Sequence, residues 1–174
     1  MRKVVADSET DGLLPTCTKV WCVALRDVTT GEKWKFDPTQ LRDFRNFADT
    51  VDHWIGHNFL SFDSVVFRRF LDLHIPVKKI TDTLIKSRLQ YYTRPGGHSL
   101  DNLGKLVHRP KIEFSDFTKY TPEMMTYCEG DVDTNYHVYI YLLQEGKRFG
   151  SPEAERLEHG VQYLLNQQQE YGFP

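Results

Sequence analysis

Three runs of strand character crowd into the first 36 residues, and strand and helix signals alternate after them. That order implies an α/β fold, a mixed sheet that opens with an antiparallel meander and has helices packed on it. KVVADSET is β-branched behind a basic tip and reads as a strand ending near Asp7. KVWCVALR (19–26) and EKWKF (32–36) flank the turn segment DVTTG and form a hairpin. Residues 39–50 read as a helix opened at Thr39, with Leu41, Phe44 and Phe47 at three-residue steps. His53 to Gly56 is a short strand, and a polar turn then feeds a helix with Phe62, Val66 and Phe70 on one face and Ser61 as its cap. Ile80 ends another strand, Asp82-Thr83 opens a helix, and Arg94-Pro95-Gly96-Gly97 breaks it into a flexible basic loop. A short helix restarts at Ser99, and residues 108–120 show no period, as expected of an ordinary connector or of a loop that orders against substrate. Thr121-Pro122 then opens a helix whose Met125, Cys128, Val132, Asn135, Tyr136 and Tyr139 make a buried face.

With 174 residues, 40% hydrophobic and 26% charged, the chain can bury one sizeable core. Apolar runs such as VWCVAL fall far short of the ~20 residues that cross a bilayer, so a soluble cytoplasmic protein is expected. Cys17, Cys22 and Cys128 lack metal-ligand spacing and read as reduced thiols. A net charge of −2 argues against nonspecific coating of nucleic acid. Residues 78–111 nevertheless carry +6, in Lys78, Lys79, Lys86, Arg88, Arg94, Lys105, Arg109 and Lys111 against two aspartates. Such a stretch is a solvated face or a track for a polyanion.

The acidic residues say more. Asp7 and Glu9, two apart on a strand, point to the same side and repel each other unless a cation lies between them. Asp63 falls in the first turn of a helix, where it either serves as a cap or faces a site. Tyr127 and Asp131 share a helix face one turn apart. Four acids converging on one cleft require divalent cations, and two Mg²⁺ sharing oxygen ligands are the usual answer, in phosphoryl-transfer sites.

Asp7-Ser8-Glu9-Thr10, Asn58-x-x-x-Phe62-Asp63 and Tyr127-x-x-x-Asp131 resemble the three successive motifs of the DEDD exonucleases, in the tyrosine-containing subgroup. The chain is similar over nearly its whole length to the proofreading domain of family A DNA polymerases, most closely those of short-tailed phages. The resemblance implies a ribonuclease H-like fold and 3′-to-5′ hydrolysis of single-stranded DNA to nucleoside 5′-monophosphates. It implies that Asp7, Glu9 and Asp131 hold a first Mg²⁺, which activates the attacking water and binds the scissile phosphate. Asp7 would also touch a second ion that stabilises the leaving 3′ oxygen, with Asp63 reaching it through water; Mn²⁺ would substitute for Mg²⁺. Tyr127, whose free pKa is ~10, would orient the nucleophile rather than act as a strong base. Thr10 and Leu13 match positions that cradle the terminal nucleotide, Leu13 by wedging against its base, and Asn58 matches a polar residue supporting the substrate. Residue by residue, a turn former, a core leucine and a turn amide are the simpler readings of these three.

By the same resemblance, residues 1–150 form the exonuclease domain, and residues 151–174 resemble the helix that connects it to a polymerase domain. The chain would be a free-standing subunit of a split polymerase or a part of a longer one. Leu157, Val161, Leu164, Leu165 and Tyr171 make an apolar stripe on that helix. The stripe either packs on the domain's own core, docks a polymerase subunit, or docks a second copy of the chain. Two other functions fit the residues: the same chemistry on RNA, and a non-catalytic module that binds strands or partners.

Overall fold

The computed structural model describes residues 1–171, without the side chain of Tyr171. Strands β1 (Lys3–Thr10), β2 (Val20–Asp27), β3 (Lys33–Phe36), β4 (His53–Gly56) and β5 (Ile80–Asp82) form one sheet in the order β3-β2-β1-β4-β5. The meander is antiparallel, whereas β4 and β5 add in parallel, as the alternation of strand and helix implied. Helices α1 (Leu41–Ala48), α2 (Asp63–Leu71), α3 (Thr83–Gln90), α4 (Leu100–Leu106), α5 (Pro122–Phe149) and α6 (Pro152–Tyr171) complete the fold. Among the described residues no helix is long and apolar enough to cross a membrane.

The period-two pleat of β1 sorts its side chains between two cores. Val4 and Ala6 join Phe44 of α1, Trp54 of β4 and Val66 and Phe67 of α2. Val5 faces the other way, with Cys22, Ala24 and Ile55, onto Met124, Met125, Cys128 and Val132 of α5. Trp54, Phe44 and Phe67 meet with ring centroids 5.1 to 6.2 Å apart. Each such fully buried large side chain contributes roughly 2–3 kcal/mol. Helix α5 starts as its sequence dictates: Pro122 takes a first-turn position and the Thr121 hydroxyl accepts the Met124 N–H at 3.2 Å.

Several boundaries differ from the sequence expectations. β1 continues past Asp7 to Thr10, with an irregularity at Glu9/Thr10, because β2 pairs with it along its whole length. Helix α1 begins after Gln40, since the Thr39 hydroxyl is engaged with Asp37 at 2.6 Å. Ser61 does not cap α2; Phe62 precedes the helix without a side-chain cap. The turn before it is held instead by buried Asp82, which accepts the Asn58 and Leu60 N–H groups, each at 3.0 Å. Ile80 begins β5 rather than ending a strand, and Asp82 caps α3 by accepting the Leu84 N–H at 3.0 Å. Arg94 is no part of a flexible loop: it is buried and paired with Glu145 of α5 at 2.5 Å.

The apolar stripe of α6 does not pack on the domain's own core. The helix turns its polar side inward: His159 Nε2 accepts the Asp82 N–H at 2.8 Å, Asn166 donates to the Leu60 carbonyl at 2.7 Å, and Glu155 pairs with Lys86 at 2.6 Å. Leu157, Val161, Leu164 and Leu165 are exposed, Leu157 at 69% and Leu164 at 61%. The side chain of Tyr171, the last residue of the expected stripe, lies outside the described residues.

Candidate active site

Alternation along β1 builds the site. Asp7 and Glu9 continue the Val5 side toward α5, while Ser8 continues the Ala6 side toward α2. Carboxylate oxygens of Asp7 and Glu9 and the Cys128 sulfur all lie within 4.8 Å of one another. The Ser8 hydroxyl donates to Asp63 Oδ1 at 2.6 Å, fixing that buried carboxyl at the start of α2. One turn beyond Cys128, Asp131 is buried; its Oδ2 lies 2.5 Å from the Lys111 ammonium, and its Oδ1 has no hydrogen-bond partner. The Lys111 Nζ is also 5.0 Å from the centroid of the Tyr127 ring, so Tyr127 and Asp131 present to one place. Phe114 and Phe117, in the segment between α4 and α5, flank Tyr127 with centroids 5.5 and 6.0 Å away.

Charge is concentrated here beyond what the protein alone neutralises. Burial, then the neighbouring Glu9, Asp63 and Asp131 carboxylates, push the Asp7 carboxyl well above its ordinary range. Glu9 is pushed up to about 8 by burial and by Asp131 and Asp63. Burial raises Asp63 to about 7 against the Ser8 hydrogen bond, and it raises Asp131 against the pull of Lys111. The Tyr127 hydroxyl and the Cys128 thiol are likewise raised by burial. Converging carboxylates and an orphaned buried oxygen on Asp131 fit a hard, oxygen-seeking divalent cation. The raised Cys128 thiol is a poorer donor to such an ion and closes the floor of the site, its S–H directed at the Asp7 carbonyl at 3.5 Å.

Beside the acids a cavity of about 260 Å³ is lined by Glu9, Thr10, Gly12, Leu13, Phe62 and Phe117. Leu13 is 74% exposed at its rim and so is not a core residue. The Thr10 hydroxyl donates to the Gly12 carbonyl at 2.8 Å, shaping the turn that presents Leu13. Asn58 does not line this cavity. It has φ 59°, a left-handed conformation that asparagine tolerates, and its side chain is exposed.

Phe62, Phe117 and Lys111 were not anticipated as site residues. In the sequence Phe62 belongs to a helix-period pattern with Val66 and Phe70, and Phe117 lies in a segment without periodicity. Lys111 is the last residue of the basic stretch 78–111, and the fold disperses that stretch. Lys86 and Arg94 are buried in ion pairs, Lys105 pairs with Asp101 at 2.6 Å, and Lys111 enters the acid cluster. Lys78, Lys79, Arg88 and Arg109 remain exposed. Burial, then the positive charges of Lys111 and Arg88, lowers His57 to about 4.

A family model described as 3′-5′ exonuclease matches residues 1–147. The DNA-directed DNA polymerase of Escherichia phage T7 is 24% identical over 235 aligned residues, covering 98% of this chain and 33% of the polymerase. The chain thus spans about a third of the length of that relative. Brucella melitensis NrnC with bound Mg²⁺ superposes with a TM-score of 0.72 at 19% identity, over 98% of this chain and 86% of that one. The catalytic core of RRP6 from Trypanosoma brucei superposes with a TM-score of 0.69 at 16% identity, over 94% and 45%. The sheet and its helices therefore form a ribonuclease H-like α/β fold.

Proposed function

The chain belongs to the 3′-5′ exonuclease family that its first 147 residues match, and we propose that it removes nucleotides from the 3′ end of single-stranded DNA as the proofreading part or subunit of a family A phage DNA polymerase. The observation that carries this reading is the convergence of Asp7 and Glu9 of β1 with Asp131 and Tyr127 of α5 beside an apolar cavity. DNA is favoured as substrate because the likeness to a DNA polymerase spans 98% of the chain.

Asp7, Glu9, Asp63 and Asp131 would hold two divalent ions, Mg²⁺ or in its place Mn²⁺. When bound, the ions supply Lewis acidity at the phosphate and lower the pKa of water. The residues do the rest. Ser8 holds Asp63 in place through its 2.6 Å hydrogen bond. Tyr127, its pKa raised, keeps its proton at neutral pH and orients the nucleophile by hydrogen bonding. Leu13, Phe62 and Phe117 form an apolar seat that suits the base of an unpaired end. Thr10 supports that seat through Gly12, and Asn58 supports the strand from the turn before α2.

In this reading residues 1–150 are the exonuclease domain and residues 151–174 the connection to a polymerase domain or subunit, which covers the exposed Leu157, Val161, Leu164 and Leu165. The place of action is the cytoplasm, that of the host if a phage encodes the chain.

The test follows a 5′-labelled single strand with Mg²⁺. A ladder shortening from the 3′ end, lost in EDTA and reduced about a thousandfold or more in Asp7→Ala, supports the proposal. Faster cleavage of a matched RNA would move the substrate to RNA. Strand binding without cleavage by the intact protein would favour a binding module.

A further inference from the structure

Residues 107–121 join α4 to α5 without helix or strand, yet the segment is pinned along its length. The Arg109 carbonyl accepts the Thr134 hydroxyl of α5 at 3.3 Å and sits where a Cβ on Gly104 would come within 2.5 Å of it. Ile112 lies against Gly130 of α5, 2.8 Å from where a Cβ there would be. Trp21 Nε1 donates to the Phe117 carbonyl at 2.9 Å, and Phe114 packs beside Tyr127. Both glycines permit this close approach, and Lys111 sits between two of the anchors.

From that strap the Lys111 side chain, 24% exposed, reaches into the acid cluster. Its ammonium touches Asp131 Oδ2 at 2.5 Å and lies over the Tyr127 ring. Among the described residues it is the one cation in an ion pair with any of Asp7, Glu9, Asp63 and Asp131. A four-carbon stem on a fixed backbone can swing its head group without moving the strap.

We propose that Lys111 is a tethered cation that occupies the acid cluster in the metal-free protein and leaves Asp131 when a divalent ion binds, so that it sets the metal affinity of the site. The inference rests on the reading of these acids as metal ligands. An ammonium bound to Asp131 competes with an ion for the same carboxylate and repels it as a like charge. Metal affinity is then lowered by the free energy of the ion pair that must be broken. In exchange, the cluster stays folded before metal arrives, with Asp131 paired rather than isolated in a buried position.

Calorimetric titration of the EDTA-stripped, full-length protein with Mn²⁺ at one neutral pH tests this. Lys111→Gln should bind Mn²⁺ about tenfold more tightly than wild type and melt at a lower temperature without metal, whereas Lys111→Arg should bind within about threefold of wild type. Equal or weaker binding by Lys111→Gln overturns the role of Lys111. Absence of Mn²⁺ binding by both wild type and Lys111→Gln overturns the metal-site reading and the inference with it. A second measurement uses only wild type: reductive methylation followed by peptide mass spectrometry. Lys111 should react more slowly than exposed Lys105 in EDTA and accelerate about threefold or more with Mn²⁺. Protection that Mn²⁺ leaves unchanged overturns the inference.

Discussion

Helices α5 and α6 follow one another and both carry an apolar stripe, yet they bury opposite sides. α5 lays Met124, Met125, Cys128 and Val132 on the sheet and carries Asp131 into the same buried surface. α6 buries His159 and Asn166 and leaves Leu157, Val161, Leu164 and Leu165 in solvent. The difference lies in what each helix finds. α5 meets an uncovered apolar sheet face. α6 meets the edge strand β5 and the turn before α2, whose backbone groups need partners more than apolar cover. His159 suits this place: Nε2 accepts from the Asp82 N–H while Nδ1 lies 2.6 Å from the Glu155 carbonyl, so one ring serves two backbone groups.

The largest expected effect concerns the α5 side. Without metal, Glu9 titrates at about 8 and Asp63 at about 7 in the folded chain. In the unfolded chain they titrate near ~4. A carboxyl raised on folding contributes stability below its unfolded pKa and loses it as pH rises through the folded value. Urea unfolding in EDTA should therefore show stability falling from about pH 5 to about pH 8, and Mg²⁺ should remove most of the fall. A flat or rising profile in EDTA would break the account of the acid cluster.

Next comes Met124→Ala, which opens a cavity between α5 and the sheet and should cost about 2–5 kcal/mol in urea unfolding. A cost below about 1 kcal/mol would mean that α5 is no better seated than α6. His159→Ala leaves the buried Asp82 N–H without its partner and should cost about 1–3 kcal/mol. No loss there would show that the polar seat of α6 is not what holds it. The smallest effect belongs to the apolar stripe: Leu157→Ser with Leu164→Ser should change the stability of the chain alone by no more than about 0.5 kcal/mol. Destabilisation well beyond that would place the stripe in contact with the domain after all.

Much of this was legible in local pattern. The period-two placement of Asp7 and Glu9, the Thr121-Pro122 start of α5 and the Asp82 cap of α3 each depend on a few neighbouring residues. The family resemblance, and with it the ribonuclease H-like fold, was likewise readable from three spaced motifs. The roles of Thr39 and Ser61 are not legible in local pattern, because Thr39 is taken by Asp37 and the turn around Ser61 is held by Asp82 from another part of the chain. Phe117 and Lys111 escaped because they lie in a segment without periodicity, whose position is set by close approach to Gly104 and Gly130 on the flanking helices and by Trp21, 96 residues from Phe117.

By itself the sequence determined which segments become strands and helices and that its acids fall at strand and helix positions able to converge, because backbone preference and side-chain period act over a few residues. Tertiary structure alone decided that Lys111 pairs with Asp131, that Phe62 and Phe117 wall the cavity beside the acids, and that α6 turns its apolar face outward. Those outcomes depend on which surfaces earlier elements have already covered and which buried polar groups still lack a partner.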